Sequence, residues 1–157
     1  MTAISDLWEH AANFDTCMLV TQNNLSLRAR PMAPLIDREN GLIRFITDRR
    51  DHKDEEIQAH PEVCLAYGDP DSKTFISITG TARIETRAEE VRKHWDDSAD
   101  AWFEHGANDA NAMLIEVSPR MAEFWLAPGS IAETIDFMRT SVSGGKPDAG
   151  EHRKVRM

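Results

Sequence analysis

Apolar and polar positions change period several times along this 157-residue chain. Over residues 3–14, Ile4, Leu7, Trp8, Ala11 and Ala12 recur at helical spacing and predict an amphipathic helix. Cys17-Met18-Leu19-Val20-Thr21 is then a short apolar run closed by Gln22-Asn23-Asn24, the pattern of a strand and a turn. Leu25 to Ile36 alternates imperfectly and carries Pro31 and Pro34, which suits an edge or bulged strand. Glu39-Asn40-Gly41 marks a turn before a third strand, Leu42 to Thr47.

Asp51 to His60 reads as a helix stopped by Pro61, with Asp51 as its N-cap. Val63 to Tyr67 is a fourth strand. Thr74 to Glu85 alternates as a long fifth strand, in which Gly80 hints at a bulge or tight bend. Residues 87–105 return to helical spacing, with Val91, Trp95, Ala99 and Trp102 on one stripe. Met113–Val117 and Ala122–Leu126 predict the last strands. The result is six or seven short strands and three helices without regular alternation, so a doubly wound parallel sheet is not expected. A mainly β fold follows: a small, mostly antiparallel barrel with flanking helices. Beyond Thr140 the chain is polar and glycine-rich, so the expected division is one domain over residues 1–140 and a flexible tail over 141–157.

Composition narrows the function. Apolar residues make up 41% and the formal net charge is −9. An acidic balance disfavours nucleic acid as a partner. Much of the acid is local: residues 85–116 hold nine acids against three bases. No apolar run approaches the roughly 20 residues needed to span a membrane. The acidic N-terminus lacks the features of a signal peptide, so a cytoplasmic location is expected. Cys17 and Cys64 have no C-x-x-C spacing and read as small buried hydrophobes. The six histidines show no metal-ligand spacing, so no metal site is expected. Motifs for a nucleophilic hydrolase, a dinucleotide fold or a P-loop are missing.

Three groups carry candidate chemistry. In T-D-R-R-D-H-K-D-E-E-I, residues 47–57, a strand ends and a helix begins among bases. Thr47, Arg49, Arg50 and Lys53 could cradle a phosphate. Equally, Asp51 could cap the helix, with Asp54, Glu55 and Glu56 complementing its positive end. In R-A-R-P-M, Arg28, Arg30 and Met32 share one strand face. Two adjacent guanidiniums need an anion or an acid between them, so a phosphate and a salt-bridge ladder both fit. Trp8, Trp95 and Trp102 suit a core or an interface, and Trp125, facing away from Phe124, could cover a ligand or a dimer contact.

Taken in order, R-A-R-P-M-A-P, F-I-T-D-R-R-D-H-K-D-E-E-I, H-P-E-V-C-L-A-Y, S-I-T-G-T-A-R-I, H-W-D-D-S-A-D-A-W-F-E-H-G and S-P-R-M-A-E-F-W resemble the pyridoxamine 5′-phosphate oxidase-like, FMN-binding split-barrel proteins, nearest the general stress protein 26 branch. The resemblance covers roughly residues 5–128. It implies a six-stranded antiparallel split barrel that forms a homodimer with FMN at the subunit interface. By position it implies phosphate contacts from Thr47, His52 and Lys53, with Asp51 beside them. Arg28, Arg30 and Met32 would lie by the phosphate and flavin ring, Phe45 and Ile46 would offer backbone near the ring, and Trp125 would lie on the partner's side. The oxidases usually carry Ser-Arg-Lys where this chain has Asp51-His52-Lys53, and nothing after Trp125 matches their pyridoxal phosphate segment. The expectation is an FMN-dependent oxidoreductase of unknown substrate, not a true pyridoxamine 5′-phosphate oxidase. Two alternatives stand beside it: a non-catalytic module for flavin, deazaflavin or haem, and a stress-related interaction protein using the acidic 85–116 region.

Overall fold

The computed structural model describes residues 3–126 and 133–136. The amphipathic N-terminal segment forms α1 (Ala3–Ala11). The first strands are β1 (Cys17–Asn23), β2 (Ser26–Met32), β3 (Leu35–Asp37) and β4 (Leu42–Asp48). A 3-10 turn, Arg49–Asp51, leads into α2 (Lys53–Ala59). Strands β5 (Glu62–Asp69) and β6 (Thr74–Glu85) follow, then α3 (Ala88–Lys93) and 3-10 turns at Asp97–Trp102 and Gly106–Asn108. The described chain closes with β7 (Ala112–Trp125) and β8 (Glu133–Asp136). Expectations for the tail over 141–157 fall outside the described residues.

All strand pairs are antiparallel, in the order β2-β1-β5-β6-β7-β4-β3, and β8 pairs with β7. The expected mainly β fold with flanking helices is therefore present. The strand count differs from the expected six: among the described residues seven lie on one path and an eighth joins it. Ala33-Pro34 splits the single strand expected over 25–36 into β2 and β3. The two strands expected over 113–126 are one continuous β7.

A bulge explains that continuity. Val117 and Ala122 are five residues apart, so an unbroken strand would send them to opposite faces. Both are buried in the same core. The ladder between β6 and β7 shifts register at Thr79/Gly80, inserting the extra residue that restores both side chains to one face. Gly80 lets β6 pass at that point. A Cβ there would lie 2.2 Å from the Ser118 carbonyl oxygen.

The main core fills one side of the sheet, with Leu19, Phe45, Leu65, Ile78, Val117 and Phe124 among its residues. Cys17 belongs to it, and burial pushes its thiol up to about 12. Cys64 is only partly buried, contrary to expectation, because it points to the other face. On that other face, Val91, Ala99, Phe103, Ala112 and Leu114 form a smaller core beneath α3 and the Asp97–Trp102 turn. Beside it, Glu116 of β7 lies directly opposite Arg44 of β4 and Arg83 of β6. It accepts from Arg44 Nε at 2.6 Å and pairs with Arg83, so a buried charge is met from both neighbouring strands.

The single helix expected over 87–105 is two shorter elements. Asp96 accepts a bond from the Ser98 N–H at 2.9 Å and starts a 3-10 turn, which breaks the 3.6-residue period. Trp95 stays on the small core, edge-on to Phe103 with ring centroids 5.5 Å apart. Trp102 leaves the stripe and stands 78% exposed. Among the described residues no helix is long and apolar enough to cross a membrane.

Gly80→Ala is expected to destabilise the protein by about 3 kcal/mol, the upper range for overpacking, because the obstructing atom is backbone. A shift of the urea midpoint to lower concentration, at constant slope, checks this.

Candidate functional site

The site begins with one carboxylate on α2. Glu56 accepts from Arg30 Nη2 at 2.6 Å, from Arg28 Nη1 at 3.0 Å and from the Thr21 hydroxyl at 2.8 Å. Arg30 Nη1 donates back to the Thr21 oxygen at 2.9 Å. The acid that the two adjacent guanidiniums require is therefore Glu56. Burial works to raise the Glu56 carboxyl, but the bonds from Arg30 and Thr21 outweigh it and hold it below the usual carboxylate value.

Next comes the strand end at β4. Asp48 caps the 3-10 turn, accepting from the Arg50 N–H at 2.8 Å. The expected capping role of Asp51 is thus corrected: Asp48 caps the 3-10 turn, and α2 starts after His52 without a side-chain cap. His52 adopts a left-handed backbone, φ 57° and ψ 22°, which reverses the chain between the two elements. Its ring is 71% exposed and meets Glu55 at 3.2 Å. That reversal turns Lys53 inward. The Lys53 side chain is only 7% exposed, and its Nζ donates to Thr47 Oγ1 at 3.1 Å and to Asp51 Oδ2 at 2.8 Å.

These groups meet in a cleft of about 750 Å³, between the C-terminal end of β2, the end of β4 and the Asp97–Trp102 turn. Arg30, Thr47, Asp51 and Lys53 supply its polar end. Met32, Ile46, Ala99, Trp102 and Phe103 supply apolar and aromatic walls. A smaller cleft of about 540 Å³ lies by the end of α1 and the β5–β6 turn, and no lysine or arginine among the described residues lines it.

Of the residues singled out in the sequence, the structure gathers Arg30, Met32, Ile46, Thr47, Asp51 and Lys53. It does not gather the other four side chains. Arg28 is half exposed on the outer side of Glu56. Phe45 is sealed in the main core. His52 points to solvent, and Trp125 lies opposite Phe75 at the far end of β7. Sequence reasoning missed Glu56 and Thr21 as organisers of the arginines, and Ser98, Trp102 and Phe103 as lining. The D-x-S pattern at Asp96–Ser98 was the available signal for the last three, because it marks a local turn.

The donor set suits a phosphorylated flavin in kind. A buried ammonium, a hydroxyl and a guanidinium sit at one end, and flat apolar walls stand beside them. The volume lies within the usual range for small-molecule sites.

Comparison with known proteins follows the same line. The family model described as pyridoxamine 5′-phosphate oxidase like matches residues 2–148. General stress protein 26 of Bacillus subtilis is 31% identical over 80 residues, covering 46% of this chain and 54% of that protein. The chain thus spans little more than half of that relative. A crystal structure of the general stress FMN/FAD binding protein from Xanthomonas citri is 27% identical, covers 80% of this chain and 89% of that one, and superposes with TM-score 0.68. A Clostridium acetobutylicum protein related to general stress protein 26 shares the fold, at TM-score 0.76 and 14% identity, over 87% of this chain and 95% of that one.

Glu56→Gln is expected to cost roughly 2 kcal/mol at neutral pH, because Arg30 keeps its partly buried charge and loses its counter-charge. A depressed folded-state carboxyl stabilises above its unfolded value, about 4.3, and that contribution fades as pH falls through the folded value. The wild-type advantage over Glu56→Gln should therefore shrink below about pH 4, as read from thermal melts across pH.

Proposed function

This chain belongs to the pyridoxamine 5′-phosphate oxidase-like family, and we propose that it is an FMN-binding flavoprotein of the general stress type, acting in the cytoplasm as a homodimeric flavin-dependent oxidoreductase. The observation that carries this reading is a buried ammonium and an aromatic wall in one cleft. Lys53, Thr47 and Arg30 would hold the phosphate of FMN. Met32, Ile46 and Trp102 would flank its ring system. When bound, the flavin supplies hydride or electron transfer, and the chain's own residues bind it, orient it and exclude water from it.

The homodimer rests on two features. The cleft is open where Trp102 projects from the surface. Trp125 is 40% exposed and does not line its own chain's cleft, which leaves it free to complete the cleft of a second copy. A non-catalytic flavin-binding module is the second reading. The Lys53–Asp51 pair favours it, because the cation is already matched before any phosphate arrives.

Purified protein is expected to show flavin absorption bands, or to quench the fluorescence of added FMN at one site per chain. Neither bands nor quenching would sink the proposal. Lys53→Met should weaken FMN binding by no more than about tenfold, because Asp51 already matches the ammonium and the phosphate gains less than a full charge-assisted bond. Trp102→Ala should weaken FMN and riboflavin alike, by about three- to tenfold, the range for loss of one aromatic stack. Fluorescence titration of each variant reads both effects.

A further inference from the structure

The polar end of the cleft has an unusual charge balance. Among the described residues two cations line it, Arg30 and Lys53, against three carboxylates, Asp48, Asp51 and Asp96. Two of those acids are engaged locally: Asp48 holds Arg50, and Asp96 holds Ser98. Arg30 is already bonded to Glu56. Lys53 is the cation that a ligand would reach, and Asp51 already sits on it.

The geometry points to Asp51 as a resident anion in the seat that a ligand's phosphate would take, and therefore as the residue that sets ligand selectivity; this inference rests on the flavin reading above. An ammonium has three donors. Lys53 spends one on the Thr47 hydroxyl at 3.1 Å and one on Asp51 at 2.8 Å. The carboxylate approaches from the solvent side, being 58% exposed, whereas the Lys53 side chain is buried. A phosphate coming from the cleft must then displace Asp51 from the ammonium or lie beside it. Displacement exchanges one anionic partner of Lys53 for another. Lying beside it sets two anions together. Either route removes most of the advantage that a phosphate would otherwise gain from a buried lysine.

The apolar walls are indifferent to this. Met32, Ile46 and Trp102 would meet the ring of a flavin whether or not its ribityl chain ends in phosphate. The cleft therefore accepts riboflavin nearly as well as FMN, and holds FMN as an exchangeable ligand. Asp51→Asn keeps the shape and a hydrogen-bond acceptor for Lys53 but removes the competing charge.

The test titrates the full-length wild type, Asp51→Asn and Asp51→Ser with FMN and with riboflavin, following flavin fluorescence, with circular dichroism melts to verify folding. In wild type the two dissociation constants should agree to within about tenfold, a smaller preference than one strong charge-assisted contact provides. Both variants should raise the preference for FMN by about tenfold or more, with riboflavin affinity unchanged within about twofold. A smaller rise overturns the inference, as does equal weakening of both ligands, which would make Asp51 a mere anchor for Lys53. So does a wild-type preference for FMN beyond tenfold. Binding of neither flavin by any of the proteins overturns the flavin reading itself, a result distinct from each of these.

Discussion

Glu56 reaches from α2 across to two arginines of β2 and the hydroxyl of Thr21 on β1. That one carboxylate ties a seven-residue helix to the edge of the sheet. The helix is too short to hold its own shape in water, so its position comes from tertiary contacts. Ile57 anchors its apolar side in the main core, and Glu56 fixes its rotation on the polar side. Lys53 begins the same helix, one turn before Glu56. The orientation of α2 therefore decides where the buried ammonium lies relative to β2. Such a network gives modest net stability, since desolvation offsets much of the attraction. Its effect is on geometry: with the Arg30 fork occupied by Glu56 and Thr21, that guanidinium has one arrangement at the polar end of the cleft.

The sheet supplies the other half of the construction. β7 serves two cores by ordinary alternation along its first half, and the bulge at Thr79/Gly80 resets its parity so that its second half also returns to the main core. Before the bulge, alternate residues of β7 face the main core and the small core under α3. After it, Ala122 and Phe124 return to the main core. The small core holds Ala99 and Phe103 in place, and with them the 3-10 turn that carries Trp102 to the mouth of the cleft.

Strand identity was legible where a short apolar run stood between turn signals, as in β4 and β5, and where alternation ran long, as in β6. The same-face placement of Arg28, Arg30 and Met32 was equally legible, because it needs only a period of two. Their partner was not. Glu56 lies 26 residues from Arg30, in a stretch whose acids looked like dipole complements, and local pattern carries no information about such a pairing. The continuity of β7 was hidden because Ser118-Pro119-Arg120 resembles a turn, although Val117 and Ala122 fit one core only with a bulge between them. Trp102 was misplaced for a related reason. Extending a 3.6-residue period through Asp96-Asp97-Ser98 ignored the side chain's competition for the backbone N–H. The left-handed turn at His52 left no mark in the sequence, and it is what swings Lys53 inward and leaves Asp51 outside.

That turn also separates the chemistry of adjacent residues. Asp51 and Lys53 would point apart on a regular helix, since positions two apart lie on different faces. With His52 reversed between them, they meet at 2.8 Å. The burial of Lys53 then has a local explanation that calls for no ligand: its charge is matched by Asp51 and one of its remaining donors by Thr47. A cation stabilised in this way differs from one left unmatched to await an anion. The unmatched cation would bind phosphate strongly but would destabilise the empty protein. The matched one lets the chain fold around an empty cleft, and leaves recognition to the apolar walls and the shape between β2, β4 and the Trp102 turn.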